Sequence, residues 1–264
     1  MKEIFVIGHS LPDAYHKALL ALEEQGNIVD CPDYNTTQKE VSMTFFVEDA
    51  LAEPRISRLS YAGFHELEQY VQEVLDGIID CTIGHIEDYT YHDRIVKQIP
   101  FVIADLKRNP DSRRAVIDVR DWRKDSKSTN PACLQNMQFF IREGKLHMKV
   151  LMRSNDAVQA TFMNAFAFTK LQEKIAADLG VPVGLYTHRA NSFHCYERTF
   201  GTLTGYVRSI KSGDETTFNY IGEYDEMMEE ERPSIARFVA ELREKYPKKK
   251  TQDKKPSNND PLGS

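Results

Sequence analysis

The chain has no run approaching the roughly 18 to 20 apolar residues that cross a bilayer as a helix, so no membrane partner is expected. Its opening, Met1-Lys2-Glu3-Ile4-Phe5-Val6-Ile7-Gly8-His9, lacks the apolar region and cleavage site of a signal peptide, and a cytoplasmic protein is expected. Cysteine is scarce: four residues, at 31, 81, 133 and 195, too widely spaced for a CxxC or Cys/His zinc motif. No disulfide framework is expected in a reducing compartment, and no metal. Excess positive charge is missing too, with a net charge of -6, which excludes a global attraction to nucleic acid. Any phosphate must be held locally, by a few placed arginines. GxGxxG loops and internal repeats are absent, so a Rossmann or P-loop reading has no support.

What is present is an ordinary globular composition, 41% hydrophobic and 28% charged over 264 residues, enough for one large domain or two small ones. Alternation predicts a strand over 1–7 and a helix over 13–25 ending at Gly26. Residues 44–52 read as extended. Leu67, Tyr70, Val71, Val74, Leu75 and Ile78 form the apolar stripe of a helix over 65–79, with Glu73 close to that stripe. A helix is expected over 91–107, kinked or restarted at Pro100. Strands follow at 115–119, 136–142 and 146–153, the last two joined by a Glu143-Gly144 turn. A long helix over 164–179 is closed by Gly180. Residues 183–207 are read as one or two more strands, and 233–246 as a terminal helix that starts at Pro233. The domain is expected to span 1–246, followed by a disordered lysine-rich tail over 247–264.

Several segments suggest chemistry. Arg113 and Arg114 end the run Asn109-Pro110-Asp111-Ser112, and Arg153 and Ser154 end a predicted strand. Guanidinium forks bind a phosphate monoester bidentately. Neighbours on an extended strand point to opposite faces, so Arg113 and Arg114 reach one phosphate only from a turn or across a subunit interface. The bland alternative is a solvated turn. Cys133 in Pro131-Ala132-Cys133 becomes a nucleophile only as a thiolate, and Arg153 on a neighbouring strand could supply the cation that lowers its pKa. Otherwise it is one more small buried residue. His194 and Tyr196, two apart on a strand, can share one sugar hydroxyl or simply line a polar rim. The Asn164 amide can accept from N3–H and donate to O4 of uracil, or cap a helix.

In this order and spacing, the runs Pro110-Asp111-Ser112-Arg113-Arg114, Pro131-Ala132-Cys133, Arg153-Ser154-Asn155-Asp156, Asn164 and His194-Cys195-Tyr196 resemble the thymidylate synthase superfamily. The match covers roughly residues 66–198. Tyr89-Thr90-Tyr91-His92, Cys133-Leu134-Gln135 and Thr187-His188 are most similar to its archaeal, methanogen-type branch. The resemblance implies an α+β thymidylate synthase fold, a mixed β-sheet with packed helices, and a homodimer formed through the sheet. It implies C5 methylation of dUMP to dTMP, with Cys133 attacking C6 and a 5,10-methylene tetrahydropterin, folate or methanopterin-like, as co-substrate. Arg153 and Ser154 would hold the phosphate, joined by Arg113 and Arg114 from the second subunit. Asn164 would read the uracil edge, His194 and Tyr196 the 3'-hydroxyl, and Asp156 the pterin ring. Glu73 and Tyr91 would organise proton transfer near C4 and C5. A dUMP 5-hydroxymethylase, a UMP C5-methylase and a catalytically inactive nucleotide-binding relative are the rival readings. The phage hydroxymethylases that act on cytosine carry aspartate where this chain has Asn164, which favours uracil. The family's Arg-Thr-Gly-Thr phosphate loop is missing, leaving Arg55 or Arg58 as substitutes. The tryptophan that often packs on the pterin has no counterpart near 80–90, since the only tryptophan is Trp122. An apolar C-terminus is replaced by the lysine-rich tail.

Overall fold

A computed structural model describes residues 1–247; the lysine-rich tail, apart from Pro247, lies outside the described residues. In chain order the elements are β1 (Glu3–Gly8), α1 (Leu11–Gln25), β2 (Asn27–Cys31), β3 (Thr36–Val47), β4 (Ile56–Ser57), α2 (Phe64–Asp76), α3 (Tyr91–Ile95), α4 (Ile99–Arg108), β5 (Val116–Asp118) and α5 (Trp122–Asp125). They continue with β6 (Leu134–Arg142), β7 (Lys145–Asp156), α6 (Thr161–Leu179), β8 (Val183–Tyr196), α7 (Phe200–Ser212), β9 (Thr217–Phe218) and α8 (Asp225–Lys245). Seven strands form one mixed sheet in the order β1-β3-β8-β7-β6-β5, with β2 also paired to β3. β1 runs parallel to β3, and β7 runs parallel to β8. The other pairings in this sheet are antiparallel.

Period-2 patterning fixes which face each strand buries. On β7, Leu146, Met148, Val150 and Met152 are buried while Lys145 and Lys149 are exposed. The turn that sets the register of β6 against β7 is Glu143-Gly144, both left-handed (φ 51° and 72°), the geometry that matches strand twist in a two-residue hairpin. α6 lies on the buried face, inserting Phe162, Phe166, Phe168, Leu171 and Ile175. Each such side chain contributes about 1.5–3 kcal/mol when fully buried. Gln172 locks the helix to the sheet by donating to the carbonyls of Leu146 (2.8 Å) and Gly184 (3.3 Å). The opposite face of the sheet is left open, with Phe5, Ile7 and Leu185 exposed and Phe5 packed on Phe46.

Two expectations change, and two open readings are resolved. Strand β8 ends at Tyr196, and 200–212 is helical because Phe200, Leu203 and Val207 are spaced to face α1 along one helix side. α8 begins at Asp225 rather than at Pro233, which sits exposed inside it. The missing N–H is tolerated there because its carbonyl partner can turn to water, while Arg232 Nε donates to Glu68 Oε1 (2.9 Å) and Glu231 pairs with His65 (2.9 Å). The helix predicted over 91–107 is two, α3 and α4, with Pro100 in the first turn of the second. Asn164 is not a cap: α6 starts three residues earlier, at Thr161.

Candidate active site

Cys133 immediately precedes β6, and β7 returns beside it, so that its carbonyl accepts from the Arg153 backbone N–H (2.8 Å). The Arg153 guanidinium braces the same turn, donating through Nε to Ala132 (3.2 Å) and through an Nη to Pro131 (2.8 Å). On the other flank, the Tyr91 hydroxyl from α3 accepts from the Leu134 N–H (3.3 Å). The thiol is thus held by a cation's strand on one side and a buried phenol on the other. Burial pushes the Cys133 thiol up, and Arg153 offsets this only in part. Arg153 acts in the lowering direction, but desolvation of the thiolate outweighs one guanidinium that faces backbone carbonyls.

These residues line a cavity of about 320 Å³. Into it also project Ser154 and Asp156 from the end of β7, Asn164 from the first turns of α6, and His194 and Tyr196 from the end of β8. The strand ends meet because β7 and β8 are parallel and in register, with Asp156 opposite His194. His194 and Tyr196 share a face as expected, their rings 4.9 Å apart. Burial lowers the His194 pKa and keeps the ring neutral; the same desolvation raises the Asp156 carboxyl. One oxygen of Asp156, Oδ1, accepts from the Val158 (3.0 Å) and Gln159 (2.8 Å) N–H groups, and Oδ2 has no donor among the described residues.

Two other expected residues stand apart. Glu73, from α2, lies in a separate hollow of about 190 Å³ behind a wall made by Tyr70 and Tyr91, which line both spaces. Gln69 Nε2 donates to it (2.8 Å), and burial raises its carboxyl above the usual range. Arg113 and Arg114 are exposed on the loop after α4, in a hollow with Arg108 and Asp111 that Cys133 does not share. Neither Arg55 nor Arg58 reaches the cavity. Arg55 is buried against Glu173 (3.2 Å) and the rings of Phe166 and Tyr220, and Arg58 pairs with Glu215 (3.8 Å).

Sequence reasoning gave no site role to Tyr70, Tyr34 or Asn155, all of which line the cavity. Tyr70 donates its hydroxyl to Asn164 Oδ1, and burial keeps it from ionising. A tyrosine within an otherwise aliphatic helix stripe was the signal for it. Tyr34, in the turn between β2 and β3, stacks edgewise on Tyr196 at 5.3 Å. It stands at the rim, 60% exposed.

Comparison with known proteins agrees with this geometry. The family model described as thymidylate synthase matches residues 52–221. A protein of Methanocaldococcus jannaschii named "Putative thymidylate synthase" is 31% identical over 212 residues, covering 75% of this chain and 93% of that protein. Its namesake in Methanosarcina barkeri is 26% identical, covering 80% of this chain and 100% of that protein. Thymidylate synthase 1 of Bacillus spizizenii is 30% identical over 158 residues, covering 56% and 53% of the two chains. The solved structure of thermostable thymidylate synthase A from Bacillus subtilis superposes with a TM-score of 0.62 at 18% identity, over 75% of this chain and 84% of that one. Sheet, strand-end cavity and family match point the same way: the chain belongs to the thymidylate synthase family.

Proposed function

We propose that the protein is a thymidylate synthase, methylating C5 of dUMP through a covalent adduct between Cys133 and C6. The observation that carries this reading is the convergence on one cavity of Cys133, Arg153, Ser154, Asp156, Asn164, His194 and Tyr196. Arg153 and Ser154 hold the phosphate. When a phosphate takes the Arg153 guanidinium, the brace on Pro131 and Ala132 loosens beside the thiol. His194 and Tyr196 meet the 3'-hydroxyl.

Asn164 reads the base. Because Tyr70 donates to Oδ1, the amide is turned with Nδ2 as a donor for the C4 carbonyl, while the second lone pair of Oδ1 accepts from N3–H. Cytosine would set its amino group against that donor. Addition of the Cys133 thiolate to C6 breaks the C5–C6 double bond and delivers the electron pair to C5 and the C4 oxygen, making C5 the nucleophile. A 5,10-methylene tetrahydropterin supplies the one-carbon unit and the hydride. Asp156 fits a pterin, since its open Oδ2 is a partly buried acceptor aimed into the same cavity. Glu73, holding its proton more tightly than a solvated carboxyl, manages proton transfer through Tyr70 and Tyr91.

The active unit is a homodimer joined through the open sheet face, with Arg113 and Arg114 serving the partner's phosphate site. Incubation with dUMP and methylene tetrahydrofolate should give a nucleotide heavier by one methyl group, read by mass spectrometry. Product carrying an additional oxygen would replace methylation by hydroxymethylation. Cys133→Ala should abolish turnover and leave dUMP binding within about threefold of wild type, since it removes the nucleophile and little contact area.

A further inference from the structure

Behind the cavity lies a buried polar chain that the mechanism above does not use. Tyr186 on β8 is fully buried, and its hydroxyl contacts His188 Nδ1 at 2.8 Å. His188, 0% exposed and stacked on Phe45 with ring centroids 4.7 Å apart, contacts Asn155 Oδ1 through Nε2 at 2.8 Å. Asn155 ends the chain and lines the cavity, 3% exposed. Among the described residues its Nδ2 has no acceptor. Nor is Nδ2 one of the fully enclosed, unpartnered side-chain atoms, which are Ser42 Oγ, Arg55 Nε and Gln172 Oε1. Its open side is the cavity.

The direction of the hydrogen bonds follows from bookkeeping of donors. The Tyr186 hydroxyl has no other acceptor among the described residues, so it must donate to His188 Nδ1 or bury an unpaired proton. Nδ1 is then the acceptor, and Nε2 carries the only ring proton of a neutral imidazole. Burial drives the His188 pKa down to about 3, so the second proton is absent at any ordinary pH. Nε2–H donates to the Asn155 carbonyl oxygen, and the amide is left with its NH2 facing the cavity.

We propose that Asn155 is a second base-reading residue, whose Nδ2 donates to a carbonyl oxygen of the bound pyrimidine and whose orientation is fixed by the Tyr186–His188 pair. This rests on the reading of the cavity as a dUMP site. The acceptor is a ring carbonyl rather than the phosphate because the donor is neutral, deep in the cavity, and backed by a neutral ring; a dianion is matched by the Arg153 guanidinium. Only the C4 oxygen gains charge when Cys133 adds to C6, so at that carbonyl the fixed donor's hydrogen bond also strengthens as the adduct forms. Asn155 therefore touches substrate, and Tyr186 and His188 act through it as positioning residues.

The first test needs no variant: long-range proton–nitrogen NMR spectra of the histidine-labelled protein should show His188 as the Nε2–H tautomer, and an Nδ1–H tautomer overturns the proposal. Tyr186→Phe removes the donor that sets the tautomer, so it should mix the two forms and weaken dUMP at least tenfold without touching the ligand. Asn155→Ala should weaken dUMP tenfold or more and lower kcat, while 2-deoxyribose 5-phosphate binds as it does to wild type. Equal loss for both ligands, or wild-type dUMP affinity in Asn155→Ala, overturns it. Asn155→Ser serves if the alanine variant does not fold, with the same expectation. Failure of the wild-type protein to bind dUMP would instead sink the reading of the cavity, and this inference with it.

Discussion

The chemistry of this site turns on single groups held away from their ordinary charge states. Cys133 is raised by burial more than Arg153 lowers it, so the resting thiol is protonated at neutral pH. Alkylation by iodoacetamide should be slow at pH 7 and should keep climbing with pH past about 8.5, the unperturbed thiol value, before it levels off. Arg153→Gln should slow it further at every pH below that plateau by removing the nearby cation. Glu73 is displaced in the same direction, by burial. The folded state therefore holds the Glu73 proton more tightly than the unfolded chain. The stability this brings is fully present below about pH 4.3, the unfolded value, and is lost as pH rises through the elevated folded value. Glu73→Gln, which cannot ionise, should have the higher melting temperature at pH 8, with the gap closing near pH 4 in calorimetry. It should at the same time slow turnover by about 10²- to 10⁴-fold, the usual contribution of a positioned acid or base. A variant that is slow but no more stable at pH 8 would place the ionisable burden elsewhere.

Elements carry these groups to one place, and their local rules explain which were legible. Gly8 ends β1 where a Cβ would lie 2.2 Å from the Ala14 backbone nitrogen and 2.5 Å from its Cα. Gly8→Ala must push α1 off the sheet, and it should cost about 1–3 kcal/mol in urea unfolding, the usual penalty of overpacking. The β6–β7 hairpin was readable because its turn residues and alternation agree, and α2 because its stripe is regular. The β8-to-α7 change was not, because aromatic and β-branched residues in 199–207 satisfy strand and helix patterns alike. The start of α8 was hidden by Pro233, which sequence rules place at a helix start and tertiary contacts of Glu231 and Arg232 place inside one. Within the site, the expected cavity residues sit at strand ends or in the first turns of a helix, where polar residues are out of place in a core pattern. Tyr70 and Asn155 were missed for the opposite reason. Their partners, Asn164 and His188, lie 94 and 33 residues away, so the odd tyrosine in the α2 stripe could flag Tyr70 but not show what it pairs with, and nothing local flagged Asn155.

At the scale of the whole molecule, the decisive feature is the uncovered sheet face. Phe5, Ile7 and Leu185 are 59%, 49% and 40% exposed there, around half-buried Phe46 and Phe140. An exposed cluster of large apolar side chains on a folded chain marks a candidate interaction surface, here interspersed with Arg142, His147 and Lys149. A twofold dimer would cover it with its own copy, since such an interface uses the same patch on both subunits. Phe46→Asp should therefore convert a dimer to a monomer in sedimentation. A dimer would also give Arg113 and Arg114 a site to serve, because in one chain they share no hollow with Cys133. Two inactive proteins separate the possibilities: Cys133→Ala, and a variant with Arg113→Ala and Arg114→Ala. After dissociation and mixing in equal amounts, half of the dimers carry one subunit of each kind. If the arginines serve the partner, the site holding the intact cysteine receives intact arginines from the Cys133→Ala subunit, and about a quarter of all sites become active. If they serve their own chain, each mixed site carries one lesion and activity stays at zero. Recovery of activity on mixing would tie catalysis to dimerisation directly, because no single chain in the mixture could turn over alone.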